Sequence, residues 1–299
     1  MRIVTWNLNG IRAAHRKGLD EFVKKIDSDI WLFQEVRALP EQMPKDWCPP
    51  ENHEIIWHPA EKKGYSGVSN WSRVGLEEIG RGIMTDVDIS DSEGRVLHTK
   101  HGNLHCINIY LPNGGANSER QRFKDRWLED LLRWANNFVN LEEPVLLCGD
   151  LNIAHTENDI WNPSGNRNTS GFLNHERDWF SRFLSTGWHD LLRIKFGEVK
   201  GPYSWWSNRG QARSLNRGWR IDYALANKAA LEIFEDIDIL REGGLLVSIN
   251  TDLQVGCLSV SIAPARIRCS MPSTSILIRL GRSVIILLAI KKSNDNPNV

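Results

Sequence analysis

Residues 145–152, VLLCGDLN, run from four apolar side chains directly into a glycine, an acid and an amide. A short apolar run of this kind reads as a strand buried on both faces, as in the middle of an α/β sheet. Asp150 and Asn152 straddle a leucine, so in extended geometry both side chains face the same way. The same pattern recurs along the chain. Residues 3–6 lead into Asn7, Leu8 and Asn9, residues 30–33 lead into Gln34 and Glu35, and residues 55–57 and Leu104–Tyr110 complete the set of short strands. Between them Leu19, Phe22, Val23 and Ile26 keep helical spacing, as do Phe123, Trp127, Leu131, Ala135 and Phe138 behind the capping-box pair Ser118 and Gln121. Mixed strands and covering helices, with polar clusters at strand ends, predict a layered α/β sandwich with its site at one edge of the sheets.

Composition narrows the classes. At 299 residues, 41% hydrophobic and 25% charged, the chain is an ordinary globular sequence. Lys+Arg 37 against Asp+Glu 37 argues against non-specific wrapping of nucleic acid, while permitting a local basic surface. The five cysteines are widely spaced, with no CxxC pair, which disfavours a disulfide framework or a zinc site and fits a reducing compartment. The start MRIVTWNLNG reads as a strand running into a loop rather than a signal peptide, so an intracellular protein is expected. Residues 276–290 are apolar but short and interrupted by Arg279 and Arg282, and no membrane span is expected. Of thirteen tryptophans, Trp205, Trp206 and Trp219 cluster; stacking on bases or sugars and plain core packing are both open readings.

The strand ends carry the chemistry. A hard divalent cation takes oxygen ligands, commonly one or two carboxylates with phosphate and water, and Glu35 and Asp222 suit that need. A single acid after a strand is ordinarily a turn former or a helix cap; several strand ends presenting acids and amides together are not. Asn7 reads either as a neutral ligand near a phosphate or as an Asx turn. Tyr110 opens YLPNGG, whose turn would hold its phenol at the strand end, although a buried, satisfied hydroxyl is the plainer alternative.

WNLNGIR (residues 6–12), FQEVR (33–37), YLPNG (110–114), GDLNIAH (149–155) and GWRIDY (218–223), in this order, resemble the signature motifs of exonuclease III type abasic-site endonucleases of the endonuclease/exonuclease/phosphatase superfamily. The resemblance runs from Met1 to about Gly244. It implies a four-layered α/β sandwich, Mg²⁺ or Mn²⁺ dependence, and hydrolysis of the phosphodiester 5′ to an abasic site in double-stranded DNA with trimming of 3′ ends, by a monomer. On this resemblance Glu35 is the principal metal ligand, with Asn7 beside it and Asp150 and Asn152 close by. Asp150 activates water, Asn152 orients the phosphate, Tyr110 assists at the phosphate or leaving group, and Asp222 pairs with a histidine. Trp205, Trp219 and Ile221 match an apolar slot for a flipped, baseless sugar. Arg209 matches a side chain pushed into the duplex, and Asn113, Asn162 and Asn166 match phosphate-contacting or site-lining asparagines.

One feature departs from that pattern. The family ends on a Ser-Asp-His triplet followed by a last core strand, whereas this chain reads REGGLLVS and then INTDLQVGCLSVSI, with Thr251-Asp252-Leu253 nearest the expected place and no histidine after His189. Residues 253–294 contain no Asp or Glu. The sequence therefore divides into a catalytic domain over residues 1–248 and an atypical tail over 249–299, consistent with an out-of-frame ending. Loss of the imidazole should weaken charge stabilisation at the phosphate, which leaves two functional expectations: an impaired nuclease, or a catalytically silent protein that binds abasic DNA. Loss of the last strand would expose a sheet edge.

Overall fold

The computed structural model describes residues 1–45, 47–83, 91–115, 117–240 and 245–249. In chain order its strands are β1 (Arg2–Asn7), β2 (Ile30–Gln34), β3 (Glu54–His58), β4 (Val68–Ser72), β5 (Glu77–Arg81), β6 (Val96–His101) and β7 (Leu104–Tyr110). They continue with β8 (Val145–Asp150), β9 (His189–Asp190), β10 (Trp205–Trp206), β11 (Gly218–Trp219), β12 (Asp222–Ala226), β13 (Phe234–Ile239) and β14 (Leu245–Ile249). The helices are α1 (Ile11–His15), α2 (Leu19–Ile26), α3 (Ser118–Val139), α4 (Pro163–Asn166), α5 (Asn174–Ser185), α6 (Leu191–Phe196) and α7 (Lys228–Glu232). Two six-stranded sheets form, ordered β13-β14-β1-β2-β4-β3 and β5-β6-β7-β8-β12-β9, with β10 and β11 as a separate small pair.

Alternation along the strands builds the layers. Ile3, Ile30 and Leu32 of the first sheet pack with Leu104, Cys106, Leu146, Cys148, Ala224 and Ala226 of the second, in one core between the sheets. Their neighbours face outward. Val4, Trp31 and Phe33 meet Leu19, Phe22 and Val23 of α2, while Ile107, Ile109, Val145, Leu147 and Tyr223 meet α3 and α5 through Trp127, Leu131, Trp179 and Phe180. Helix, sheet, sheet and helix thus make the four-layered α/β sandwich expected from the sequence. Burial on both faces is why these strands read as continuous apolar runs.

One local expectation is corrected. The side chain that caps α3 is Asn117, which accepts from the Arg120 N–H at 2.8 Å, so Ser118 is the first helical residue rather than the cap. β14 pairs with β1 antiparallel, Arg2 opposite Ser248 and Thr5 opposite Leu245, and with β13 on its other side, while the place of the expected last strand, beyond residues 251–253, lies outside the described residues. The proposed tail, 249–299, lies outside the described residues apart from Ile249. No helix among the described residues is long and apolar enough to cross a membrane.

Candidate active site at the mouth of the cleft between the sheets

Followed towards one end, the inward-facing positions of the central strands change from apolar to polar. Thr5, Gln34, Asn108, Asn70 and Thr99 form a buried chain between the sheets: Gln34 donates to Thr5 Oγ1 at 2.9 Å and to Asn108 Oδ1 at 2.7 Å, Asn108 to Asn70 Oδ1 at 2.7 Å, and Asn70 to Thr99 Oγ1 at 2.9 Å. One period further on, the same faces present Asn7 from β1, Tyr110 from β7, Asp150 from β8 and Asp222 from β12. Strand register fixes them side by side, with Tyr110 opposite Asp150 and Asp150 opposite Asp222. Gly149, at φ +144°, makes this close approach possible, since a Cβ there would stand 1.9 Å from the Ile109 carbonyl oxygen.

The carboxylates are gripped individually. Asp150 accepts from Asn7 Nδ2 at 2.9 Å on one oxygen and from the Asn152 N–H at 2.9 Å on the other. Asn7 Oδ1 accepts from the Asn9 N–H at 2.9 Å, so the Asx turn and the site contact coexist. Glu35 Oε1 accepts from the Tyr110 hydroxyl at 2.6 Å and from Arg37 at 2.7 Å. Asn152 donates to the Leu111 carbonyl at 2.8 Å, and Asn113 reaches its side-chain oxygen at 3.5 Å. Glu35, Asn9 and Asn152 all hold left-handed backbone, with φ 50°, 50° and 48°. That conformation is unfavourable for a glutamate and recurs where side chains are aimed at a ligand.

Electrostatics mark the same spot. Burial, then the neighbouring charges of Asp222 and Glu35, raise the Asp150 carboxyl well above the ordinary range, against the hydrogen bonds from Asn152 and Asn7 that lower it. Burial pushes Asp222 up to about 7. Ser204 Oγ accepts from the Ile221 and Asp222 N–H groups at 3.1 Å each, which fixes the start of β12. Burial also raises the Tyr110 phenol, helped by the charge of Glu35, so it acts as a hydrogen-bond donor.

Among the described residues no three His, Cys, Asp or Glu side chains close into a metal cage. The donor set consists of hard oxygens crowded by negative charge: the Glu35 and Asp150 carboxylates with the Asn7 and Asn152 amides. Such a set suits a cation that keeps part of its shell for water and phosphate.

Adjoining the start of β12 lies a small apolar cluster. Ala154, Ile160, Phe172 and Ile221 are buried together with Trp219 against them. The Trp219 ring stands edge-on to Phe172 and to Trp205, with centroids 6.4 Å apart in each case. Trp205 is 45% exposed at the rim of this cluster.

A family model described as the Endonuclease/Exonuclease/phosphatase family matches residues 4–240. The chain belongs to that family. An exodeoxyribonuclease of Bacillus subtilis (strain 168) is 39% identical over 241 residues, covering 80% of this chain and 93% of that protein. The DNA repair nuclease APEX1 of Danio rerio is 34% identical over 233 residues, covering 77% and 74%. Among solved structures, an AP endonuclease from Archaeoglobus fulgidus has a TM-score of 0.74 at 24% identity, over 84% of this chain and 100% of the other, and so shares its fold.

Not every residue expected at the site of this family member stands in the cleft. Asn162 caps α4 through the Gly165 N–H at 3.2 Å, and Asn166 donates to the Asn162 carbonyl at 2.7 Å; both support the turn after Ile160. Arg209 is exposed in the loop after β10, its N–H donating to Ser207 Oγ at 3.2 Å. Asp222 forms no ion pair with a histidine among the described residues, and Thr251, Asp252 and Leu253 lie outside them.

Other contributors were not anticipated. Phe172 is buried in the apolar cluster, its ring edge-on to Trp219. Arg95, almost fully buried, donates to the Tyr110 carbonyl at 2.8 Å and lies over its ring with 4.8 Å to the centroid. Lys124, fully buried, donates to the Asn152 carbonyl at 2.9 Å and pairs with the buried Glu176 at 2.7 Å. Glu176 in turn accepts from the Gly171 and Leu173 N–H groups flanking Phe172, at 2.6 and 3.0 Å. Lys124 was detectable: it sits three, four and seven residues before Trp127, Leu128 and Leu131, on the buried stripe of α3.

Proposed function

We propose that this chain is a divalent-metal-dependent DNA repair nuclease, hydrolysing the phosphodiester 5′ to an abasic site in duplex DNA and trimming 3′ ends. The observation that carries the reading is the meeting of Glu35–Tyr110 and Asn7–Asp150–Asn152 at one cleft mouth, near an apolar cluster with Trp219 packed against it. Relatives named as exodeoxyribonuclease and DNA repair nuclease, covered over most of their length, support it.

Glu35 would hold Mg²⁺ or Mn²⁺ with Asn7 beside it and Asp150 and Asn152 nearby; when bound, such an ion supplies Lewis-acid stabilisation of charge on the phosphate oxygens. Asp150 in its charged form takes the proton of the attacking water, oriented by its bonds from Asn7 and Asn152. Asn152 and Asn113 offer amide donors to phosphate oxygens. The Tyr110 hydroxyl, kept protonated, serves as a donor at the phosphate or the leaving oxygen. Trp219, Trp205, Phe172 and Ile221 accept a sugar without a base and leave no polar partner for one that carries it. Arg209, exposed in the loop after β10, would enter the duplex, while Asn162 and Asn166 shape the turn after Ile160. A catalytic domain over residues 1–248, acting as an intracellular monomer, completes the proposal.

A second reading, a protein that binds abasic DNA without cutting it, is favoured by one observation: Asp222 lacks a histidine partner among the described residues and none follows His189 in the sequence. Cleavage of a duplex with one abasic site, with Mg²⁺ and with chelator, separates the two. Metal-dependent nicking that disappears in Glu35→Ala supports the nuclease; binding without nicking supports the silent protein.

A further inference from the structure

Next to the apolar cluster stands a second aromatic surface that the cleavage chemistry does not use. Ile160 and Trp161 are consecutive but turn opposite ways. Ile160 bridges Trp219 and is buried in the apolar cluster, while Trp161 is 41% exposed, clipped in place by its N–H donating to the Gly218 carbonyl at 2.9 Å. On the facing chain Trp219 packs against that cluster and Arg217, two residues earlier, turns out, its guanidinium 4.6 Å from the centre of the Trp161 ring. The motif repeats alongside: Trp206, opposite Gly218 in the small sheet, carries Arg213 at 5.2 Å from its ring. Residues 199–219 contain Lys200, Arg209, Arg213 and Arg217 and no acid, in a chain of net charge zero.

We infer that the Trp161–Arg217 shelf is a stacking subsite for an unpaired nucleobase of DNA, adjoining the apolar cluster proposed for the baseless sugar. The inference rests on the nuclease reading and adds to it an unstacked neighbour of the lesion. An indole with open surface beside a guanidinium matches a nucleotide at both of its recognition features: the base offers a π-face to the ring, and its phosphate an anion to the arginine. An apolar protein partner covering Trp161 would instead bury the Arg217 guanidinium away from water, with no acid in residues 199–219 to pair with it. The position agrees. The shelf and the cluster are built from neighbouring residues of the same two chain segments, so consecutive nucleotides of one strand meet them in turn.

The test is binding of single-stranded oligothymidylate by fluorescence anisotropy across a salt series, for the full chain and for Trp161→Ala, Trp161→Phe and Arg217→Lys. Stacking of one base on an aromatic ring corresponds to about tenfold or more in affinity. Trp161→Ala should therefore bind about tenfold more weakly, with Trp161→Phe close to the parent. Arg217→Lys should weaken binding without changing the salt slope, since it keeps the charge and loses the planar stack. Equal affinity of Trp161→Ala and the parent overturns the shelf, as does Trp161→Phe binding as weakly as Trp161→Ala. Cleavage of a fully paired abasic duplex by the parent, measured on the same preparation, keeps the two readings apart. Absent cleavage with the affinity pattern intact removes the nuclease reading and leaves the shelf, whereas cleavage without the affinity pattern removes the shelf alone.

Discussion

Asp150 and Asp222 stand directly opposite each other on antiparallel neighbours β8 and β12, both buried and both facing the cleft. Each is driven towards its protonated form, chiefly by burial, and the charge of Asp222 acts on Asp150 as well. The ladder between β8 and β12 in one sheet holds the pair together, and burying two carboxylates costs the fold stability that a bound cation would offset.

Asp222→Asn should therefore stabilise the protein in chelator at alkaline pH. A carboxyl raised from 3.8 to about 7 in the fold binds protons more tightly there than in the unfolded chain, so its charge opposes folding as pH rises through that interval. The variant is expected to be about 1–3 kcal/mol more stable at pH 8, with the difference vanishing near pH 4. Thermal unfolding at the two pH values checks this, and an unchanged difference between them would show that Asp222 does not titrate in this range. In the same variant, removal of the Asp222 charge lowers the Asp150 carboxyl, so the acid limb of any cleavage profile should move to lower pH.

The legibility of this site in the sequence follows from where each residue sits. Asn7, Tyr110 and Asp150 continue the period-two inward positions of β1, β7 and β8, so apolar runs ending in polar residues reveal them. Glu35 lies one residue past β2 with left-handed backbone, and its aim towards Tyr110 depends on that turn rather than on any period. Phe172 reaches the apolar cluster through a loop held by Glu176, a long-range tie with no local signature. The helix start at Asn117 was misplaced by one residue because Ser118 is an equally acceptable cap by type. The strand Leu245–Ile249 was hidden by the change of composition that begins beside it, yet five residues suffice to pair β1 with β13.

Lys124→Met should destabilise strongly and loosen the site. It leaves Glu176 buried without its cation and the Asn152 carbonyl without its donor, and breaking a buried pair by removing one partner costs about 3–5 kcal/mol. Urea unfolding measures the loss; a change below about 1 kcal/mol would mean that water or rearrangement replaces the ammonium. The double variant Lys124→Met with Glu176→Gln should recover part of the loss, because no uncompensated charge remains.

Acid sensitivity should begin well above the carboxylate range. Burial holds His98 and His101 neutral, each down to about 4, with His98 Nε2 2.9 Å from His105 Nδ1 and His101 Nδ1 2.8 Å from the Gly75 carbonyl. In the unfolded chain both take a proton near 6.5, so stability is complete above that pH and falls as pH drops towards 4. Two such groups give a slope of about 2.7 kcal/mol per pH unit across the middle of the window. Unfolding free energies at pH 7, 6 and 5 check it, and a slope less than half of that would show that one imidazole is already charged in the fold.

Glu35 and Tyr110 should separate metal binding from turnover. The Tyr110 hydroxyl donates to Glu35 Oε1, which also receives Arg37, so Glu35→Ala removes the anion at the centre of the cluster while Tyr110→Phe removes only one donor. If Glu35 is the principal ligand, Mg²⁺ at about a hundred times its dissociation constant stabilises the parent by about 2.7 kcal/mol, and that increment is absent in Glu35→Ala. Tyr110→Phe should retain most of the increment but lose about 10²-fold in single-turnover cleavage, the size expected for one preorganised donor at a reacting oxygen. Thermal unfolding with and without Mg²⁺, paired with single-turnover rates, reads both quantities. Loss of the Mg²⁺ increment in Tyr110→Phe would instead assign the phenol to orienting Glu35, because a donor that acts only on the phosphate has no effect on an ion bound without substrate.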